Sequence, residues 1–240
     1  MRRALKKRDA GKRLALPAAL PGVPLVRQIE AADLMLATLH RKPFSDPNWI
    51  YELKYDGYRC LVRKAGDTVQ LVTRNGNLLN RSFPDIVSAV AALPDDFVLD
   101  AELTVDDPGG HPSFSRLKAR AATSVASRVR AAIKAHPARL YIFDVMALNG
   151  RDLRGLPLVT RKDHLRDCFD NTPTLIYVNG IVGAGEWVFE QVVKERFEGM
   201  VAKRLQSPYQ RGRTPDWRKI KYAGFGRPAA LGFGTAPGAG

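Results

Sequence analysis

The sequence predicts an α+β domain in which antiparallel sheets are flanked by helices. Runs of strand length, alternating or continuously apolar, recur along the chain. Helical runs interrupt them without the regular βαβ rhythm of a parallel sheet. Turn dipeptides at Asp56-Gly57, Asn75-Gly76 and Asn149-Gly150 punctuate the strands.

Residues 1–24 open with Arg2, Arg3, Lys6, Lys7, Arg8, Lys12 and Arg13 and continue through Pro17, Pro21 and Pro24. This composition predicts a flexible basic arm, either a tracker of phosphates or a solvated terminus. The domain is expected over residues 25–222. Residues 31–39 have the composition of a short helix, and Pro43 and Pro47 mark residues 41–48 as a loop. Residues 49–63 read as strand, tight turn at Asp56-Gly57 and strand, and residues 68–73 alternate as another strand. Ile86, Val87, Val90 and Leu93 have helical spacing over residues 83–93, with Ser82 and Pro84 at the start and Pro94 as the stop. Residues 97–105 form an apolar strand that carries Asp100 and Glu102 on one face, where buried charge demands partners.

A turn over 106–112 precedes an Ala/Arg-rich helix over 115–134, whose Arg116, Lys118, Arg120, Arg128, Arg130 and Lys134 predict a basic surface. Strands are expected over 139–148, 175–182, 199–203 and 217–222. Helices are expected over 161–169 and 185–196, the second using Trp187, Val188, Val192 and Val193. A basic loop spans 207–215, and the Gly/Pro/Ala composition of 223–240 predicts a disordered tail.

Bulk properties narrow the function. The 38 basic and 24 acidic residues give a net charge of +14, a field that attracts a polyanion. Nucleic acid is the first candidate, because no amphipathic anchor favours a membrane. No apolar run approaches bilayer length and no signal-type segment follows the basic start, so a cytoplasmic protein is expected. Cys60 and Cys168 lack metal-ligand spacing, which argues against zinc and against a disulfide framework.

The stretch Glu52-Leu53-Lys54-Tyr55-Asp56-Gly57-Tyr58-Arg59 carries the chemistry. Lys54 falls at a strand end, where it projects into a cleft. An amine desolvated there, or close to other cations, becomes a nucleophile toward phosphorus. A surface hairpin with ordinary salt bridges is the alternative for the stretch taken alone. Lys219 and Lys221, two apart on a strand, present both ammonium groups on one face. They read either as a phosphate clamp that also lowers the proton affinity of Lys54 or as a charged edge against aggregation.

Five further segments follow in order: Thr73-Arg74-Asn75-Gly76, Leu99-Asp100-Ala101-Glu102-Leu103, Tyr141-Ile142-Phe143-Asp144, Glu198-Gly199-Met200-Val201-Ala202-Lys203 and Asp216-Trp217-Arg218-Lys219-Ile220-Lys221. Together with the Lys54 stretch they resemble the nucleotidyltransferase (adenylation) motifs of ATP-dependent DNA ligases, particularly the bacterial end-joining type, from about Leu34 to Tyr222. The resemblance implies an ATP-grasp-like nucleotidyltransferase fold, ATP as substrate, Mg2+ or Mn2+ as metal, and nicked or broken duplex DNA as partner. It implies Lys54 as the nucleophile that forms lysyl-AMP. Glu52 then reads the adenine amino group, Arg59 contacts ribose or phosphate, and Phe143 stacks on the purine. Lys203, Lys219 and Lys221 face the phosphates. Glu198 serves chiefly the metal, Glu102 the ribose and metal, and Arg74 meets the DNA phosphate at the nick.

The sequence departs from the resembled pattern in two ways. Ala101 stands where those ligases usually have glycine, and the residues after Tyr222 are too few for the OB-fold barrel that grips duplex DNA. A naturally minimal ligase, a fragment, and a catalytic domain helped by a partner protein that supplies that function are the three expectations. An RNA ligase, an RNA-capping nucleotidyltransferase and a non-catalytic nucleic-acid-binding module remain as alternative readings.

Overall fold

A computed structural model of the chain describes residues 23–226. Residues 1–22 of the basic arm expected over 1–24, and residues 227–240 of the tail expected over 223–240, lie outside the described residues. In chain order the elements are β1 (Met35–Leu39), β2 (Trp49–Lys54), β3 (Tyr58–Ala65), β4 (Thr68–Thr73), α1 (Pro84–Ala91), β5 (Phe97–Val105), α2 (Phe114–Ala121) and α3 (Ala126–Ala135). They continue with β6 (Ala138–Leu148), β7 (Arg151–Asp152), α4 (Leu158–Cys168), β8 (Leu175–Tyr177), β9 (Gly180–Val182), α5 (Gly185–Lys194), β10 (Gly199–Arg204) and β11 (Gly212–Lys221).

Two sheets form the frame. One runs β1-β11-β10-β2-β9, and the other runs β4-β3-β5-β6-β7 with β8 beside β6. Pairing is antiparallel as expected, except that β1 lies parallel to β11 and β8 parallel to β6. Three apolar clusters hold the layers. Leu61, Met146, Val178, Tyr209 and Trp217 belong to a cluster fed by both sheets. Val62, Leu71, Leu99 and Ile142 join Ile86 of α1, Leu117 of α2 and Leu165 of α4. Tyr51, Met200 and Ile220 join Val188 and Val192 of α5. The result is α+β with helices outside two packed sheets.

The expected hairpin over 49–63 does not form. β2 pairs with β10 and β9, whereas β3 pairs with β4 and β5. Asp56-Gly57 is instead the crossing between sheets. A Cβ on Gly57 would meet the Leu103 carbonyl oxygen at 2.3 Å, so the glycine is required by close backbone approach and not by a hairpin turn. The expected strand over 175–182 divides likewise, with β8 in one sheet and β9 in the other.

Other expectations change for tertiary reasons. Residues 31–39 form a single 3₁₀ turn (Ala31–Asp33) and then β1, because pairing with β11 captures an apolar run too short to choose its own period. The helix expected over 115–134 breaks into α2 and α3. Arg120 leaves the expected basic surface altogether. It is fully buried, donating to the carbonyls of Ser82 and His136 and pairing with Asp85 at 2.5 Å. Ser82 donates to the Ala121 carbonyl and does not cap α1. On α5, Val188 and Val192 are buried but Trp187 and Val193 are exposed. β11 begins at Gly212, inside the expected loop, and the register with β1 shifts around Pro215, a residue unable to donate to a ladder.

Candidate active site

A cleft of about 740 Å³ opens between the sheets. Strand register builds its first wall. Glu52, Val201 and Lys219 stand in one row across β2, β10 and β11, and Lys54, Gly199 and Lys221 stand in the next. Residues opposite one another share a face, as do residues two apart on a strand. Glu52, Lys54, Val201, Lys203, Trp217 and Lys219 therefore line the cleft together. Gly199 leaves a gap in the second row, where a Cβ would meet the Ile220 carbonyl oxygen at 2.2 Å. The other sheet contributes Arg59 opposite Glu102, and Phe143 from β6. Arg74, from the turn after β4, completes the rim.

Eight of the ten expected site residues thus meet in one cleft: Glu52, Lys54, Arg59, Arg74, Glu102, Phe143, Lys203 and Lys219. Glu198 and Lys221 reach it through Lys54. The Lys54 ammonium donates to Glu198 Oε2, and Lys221 Nζ lies 3.1 Å from Oε1. Burial pushes the Glu198 carboxyl up, but Lys54 and Lys221 outweigh it and hold the group below its ordinary range. The immediate partner of Lys54 is thus a carboxylate, whereas the sequence suggested Lys219 and Lys221. Those two lysines divide, Lys219 into the cleft and Lys221 onto Glu198.

The remaining groups are held by partners the sequence did not reveal. Arg59 makes two hydrogen bonds to fully buried Asp100, through Nε to Oδ1 and at 2.6 Å from Nη2 to Oδ2, and donates to the Met35 carbonyl at 3.1 Å. Tyr209 donates to Asp100 at 2.5 Å and accepts from the Met35 backbone N–H at 3.0 Å, so one phenol joins both sheets behind Arg59. The guanidinium of Arg59 lies 4.6 Å from the Phe143 centroid, and Lys203 Nζ lies 4.3 Å from both Phe143 and Trp217. Glu52, only 2% exposed, binds Lys162 through Oε1 and lies 2.5 Å from Lys203 through Oε2. Arg161, the neighbour of Lys162, makes two 2.8 Å hydrogen bonds to Asp144, and both residues are fully buried. Only the unexplained acid Asp100 was a signal in the sequence. Nothing local separates Arg161 and Lys162 from the charged residues of a solvated helix.

The cleft suits a polyanion. Burial lowers Lys219, and Arg213, Lys221, Lys54 and Arg74 add repulsion that a bound phosphate would relieve. Burial likewise takes Lys203 down to about 8, with Glu52 opposing and Lys162 assisting. Trp217 Nε1 is buried without a hydrogen-bond acceptor among the described residues, and Glu52 is the acidic partner of Lys203 Nζ. A divalent metal also fits. Glu102 is half-buried in the cleft, and no ion pair holds it among the described residues. Burial raises its carboxyl to about 7 against the pull of Lys54 and Arg59. No cluster of three metal-binding side chains occurs among the described residues, but Mg2+ is ordinarily held by one or two carboxylates, phosphates and water.

This architecture defines the chain as a nucleotidyltransferase domain of the DNA-ligase type. A family model described as "ATP dependent DNA ligase domain" matches residues 34–221, and the chain belongs to that family. It is 32% identical over 187 residues to the SPbeta prophage-derived DNA ligase-like protein LigB of Bacillus subtilis, covering 78% of this chain and 66% of LigB. It is 33% identical over 175 residues to the multifunctional non-homologous end joining protein LigD of Mycolicibacterium smegmatis, covering 72% of this chain and 21% of that protein. The crystal structure of the ligase domain from M. tuberculosis LigD superposes with a TM-score of 0.69 at 29% identity, covering 81% of this chain and 61% of that one. The chain therefore spans less than two thirds of each of these relatives. No helix among the described residues is long and apolar enough to cross a membrane.

Proposed function

We propose that the chain carries the adenylation chemistry of an ATP-dependent DNA ligase acting on nicked or broken duplex DNA in repair or end joining. The observation that carries this reading is the position of Lys54, a lone strand-end amine among phosphate-seeking cations, with Glu198 on its ammonium. Deprotonated Lys54 Nζ attacks the α-phosphorus of ATP, forming a P–N bond as the P–O bond to pyrophosphate breaks. AMP then passes to a DNA 5′-phosphate, and the adjacent 3′-hydroxyl displaces it as the phosphodiester forms.

The other side chains receive roles by position. Glu52 faces the adenine amino group, Phe143 the base, and Arg59 the ribose or phosphate. Lys203, Lys219 and Lys221 neutralise phosphate charge. Arg74, on the rim, receives the nick phosphate. Glu102 and Glu198 are the carboxylates that would hold Mg2+ or Mn2+, and the metal would supply charge neutralisation at the transferring phosphoryl group. Efficient sealing by the whole protein would draw on a duplex clamp such as an OB-fold barrel, in the same protein or in a partner.

The test is incubation of the full chain with ATP labelled at the α-phosphate and Mg2+, followed by denaturing electrophoresis. A covalent adduct that disappears in Lys54→Ala, and whose AMP chases into nicked duplex DNA, is the expected result. No adduct, or an adduct that persists in folded Lys54→Ala, overturns the reading. Chase into nicked RNA in preference to DNA would reassign the substrate.

A further inference from the structure

We infer that Lys162 is a positioning residue for recognition of the nucleotide base, fixing the Glu52 carboxylate and two further walls of the cleft without lining the cleft itself. This rests on the nucleotidyltransferase reading and extends it to a residue outside the ligase-like motifs.

Lys162 projects from α4, which packs on β6, and is 5% exposed. Its ammonium donates to Glu52 Oε1, to the Val178 carbonyl at 3.1 Å and, more weakly, to the Phe143 carbonyl at 3.5 Å. The Tyr177 ring centroid lies 4.8 Å from the same nitrogen. Glu52, Phe143 and Val178 all line the cleft, and they come from β2, β6 and the link between β8 and β9. One buried cation therefore ties both sheets together behind the end of the cleft where Glu52 and Phe143 meet.

The arrangement has a chemical consequence. Glu52 is held by two cations of different character. Burial would lower Lys162, but Glu52 outweighs it and keeps the amine above its ordinary range, while Lys203 is taken down to about 8. Lys162 is the constant countercharge and Lys203 the partner free to turn to a phosphate. An ionised carboxylate only accepts hydrogen bonds. Held by Lys162, Glu52 welcomes a purine with a 6-amino donor and repels one with a 6-oxo acceptor. Released, it can turn away or take a proton and donate, and the distinction weakens.

The experiment compares covalent labelling of the full chain by ATP and by inosine triphosphate in wild type, Lys162→Met, Lys162→Arg and Glu52→Gln, with folding checked by circular dichroism. The expected outcome is a wild-type preference for ATP of about tenfold or more, the scale of one lost hydrogen bond to a charged group. Lys162→Met should lose most of that preference through slower reaction with ATP while inosine triphosphate changes little, and Lys162→Arg should restore it. Should Lys162→Met not fold, Glu52→Gln decides, because an amide can serve either purine and must also compress the ratio. Equal losses with both nucleotides, or an unchanged ratio in Glu52→Gln, would make Lys162 a structural tie only. A wild type that reacts with both nucleotides alike overturns the inference and leaves the enzyme reading standing. A wild type labelled by neither overturns both.

Discussion

Lys54 and Glu198 lie 144 residues apart in sequence and form an ion pair where β2 meets β10, with Lys221 on the second oxygen of the same carboxylate. The proposed nucleophile is thereby held by the acid proposed to hold metal. In the proposed reaction that pair has to open, and a divalent cation would compete with Lys54 for Glu198.

Lys54→Ala should abolish covalent AMP attachment and leave the fold intact, since the side chain is partly exposed and fills no core. Glu198→Ala should need roughly 10- to 100-fold more metal for labelling and be partly relieved by manganese. A titration of rate against Mg2+ and Mn2+ checks this, and identical metal curves for the two proteins would remove Glu198 from that role.

Arg74 lines the cleft with Arg213 and Lys219, so DNA binding should be governed by phosphate contacts and weaken steeply with salt. Arg74→Ala should lower the slope of log affinity against log salt by about 1 and slow closure of a preadenylylated nick. Binding isotherms between low and moderate salt, together with single-turnover closure, measure both. A wild type that labels Lys54 but never closes such a nick would be an adenylation domain dependent on a partner.

Asp144 and Arg161 are both fully buried, and Arg161 also donates to the Leu156 and Ser207 carbonyls at 2.6 and 3.0 Å. Asp144→Ala leaves a guanidinium without its anion in the core and should destabilise the domain by about 3–5 kcal/mol. Thermal denaturation should show a fall of roughly 10 °C. A change near zero would show that solvent reaches Arg161.

Lys203 gives a pH signature. Its folded value near 8 lies below the ordinary 10.5, so between those values the unfolded chain holds more protons and stability rises with pH. Below about pH 8 the contribution is flat. Denaturant unfolding at pH 7.5, 8.5 and 9.5 should show a rise in wild type that Lys203→Met lacks. Equal pH dependence in the two proteins would assign the rise elsewhere.

Much of the fold was legible because it is local. β5, β6 and α1 announce themselves through period and punctuation over stretches of eight to eleven residues. The hairpin reading of 49–63 failed although both strands were found, because Asp56-Gly57 looks the same whether the chain turns back or crosses to another sheet. The 31–39 stretch failed because five strand residues carry too little periodicity to outweigh pairing with β11, nearly 180 positions away.

The site divides along the same line. The resemblance to ligase motifs singled out ten candidate side chains, and eight of them line one cleft. The sequence could not show that Asp100 and Tyr209 brace Arg59, that Lys162 braces Glu52, or that Lys54 rests on Glu198. Each of these is a charge whose state depends on a partner more than 40 positions away, and a charge in a solvated helix and one buried against a carboxylate are written with the same letter. What the sequence determined by itself was the strongly periodic elements, such as β5, β6 and α1, and the residue chemistry available to the fold. Which charges are buried, which are paired, and which are left to face a ligand was decided only when the two sheets closed on each other, because desolvation and pairing are properties of the packed interface and not of any segment.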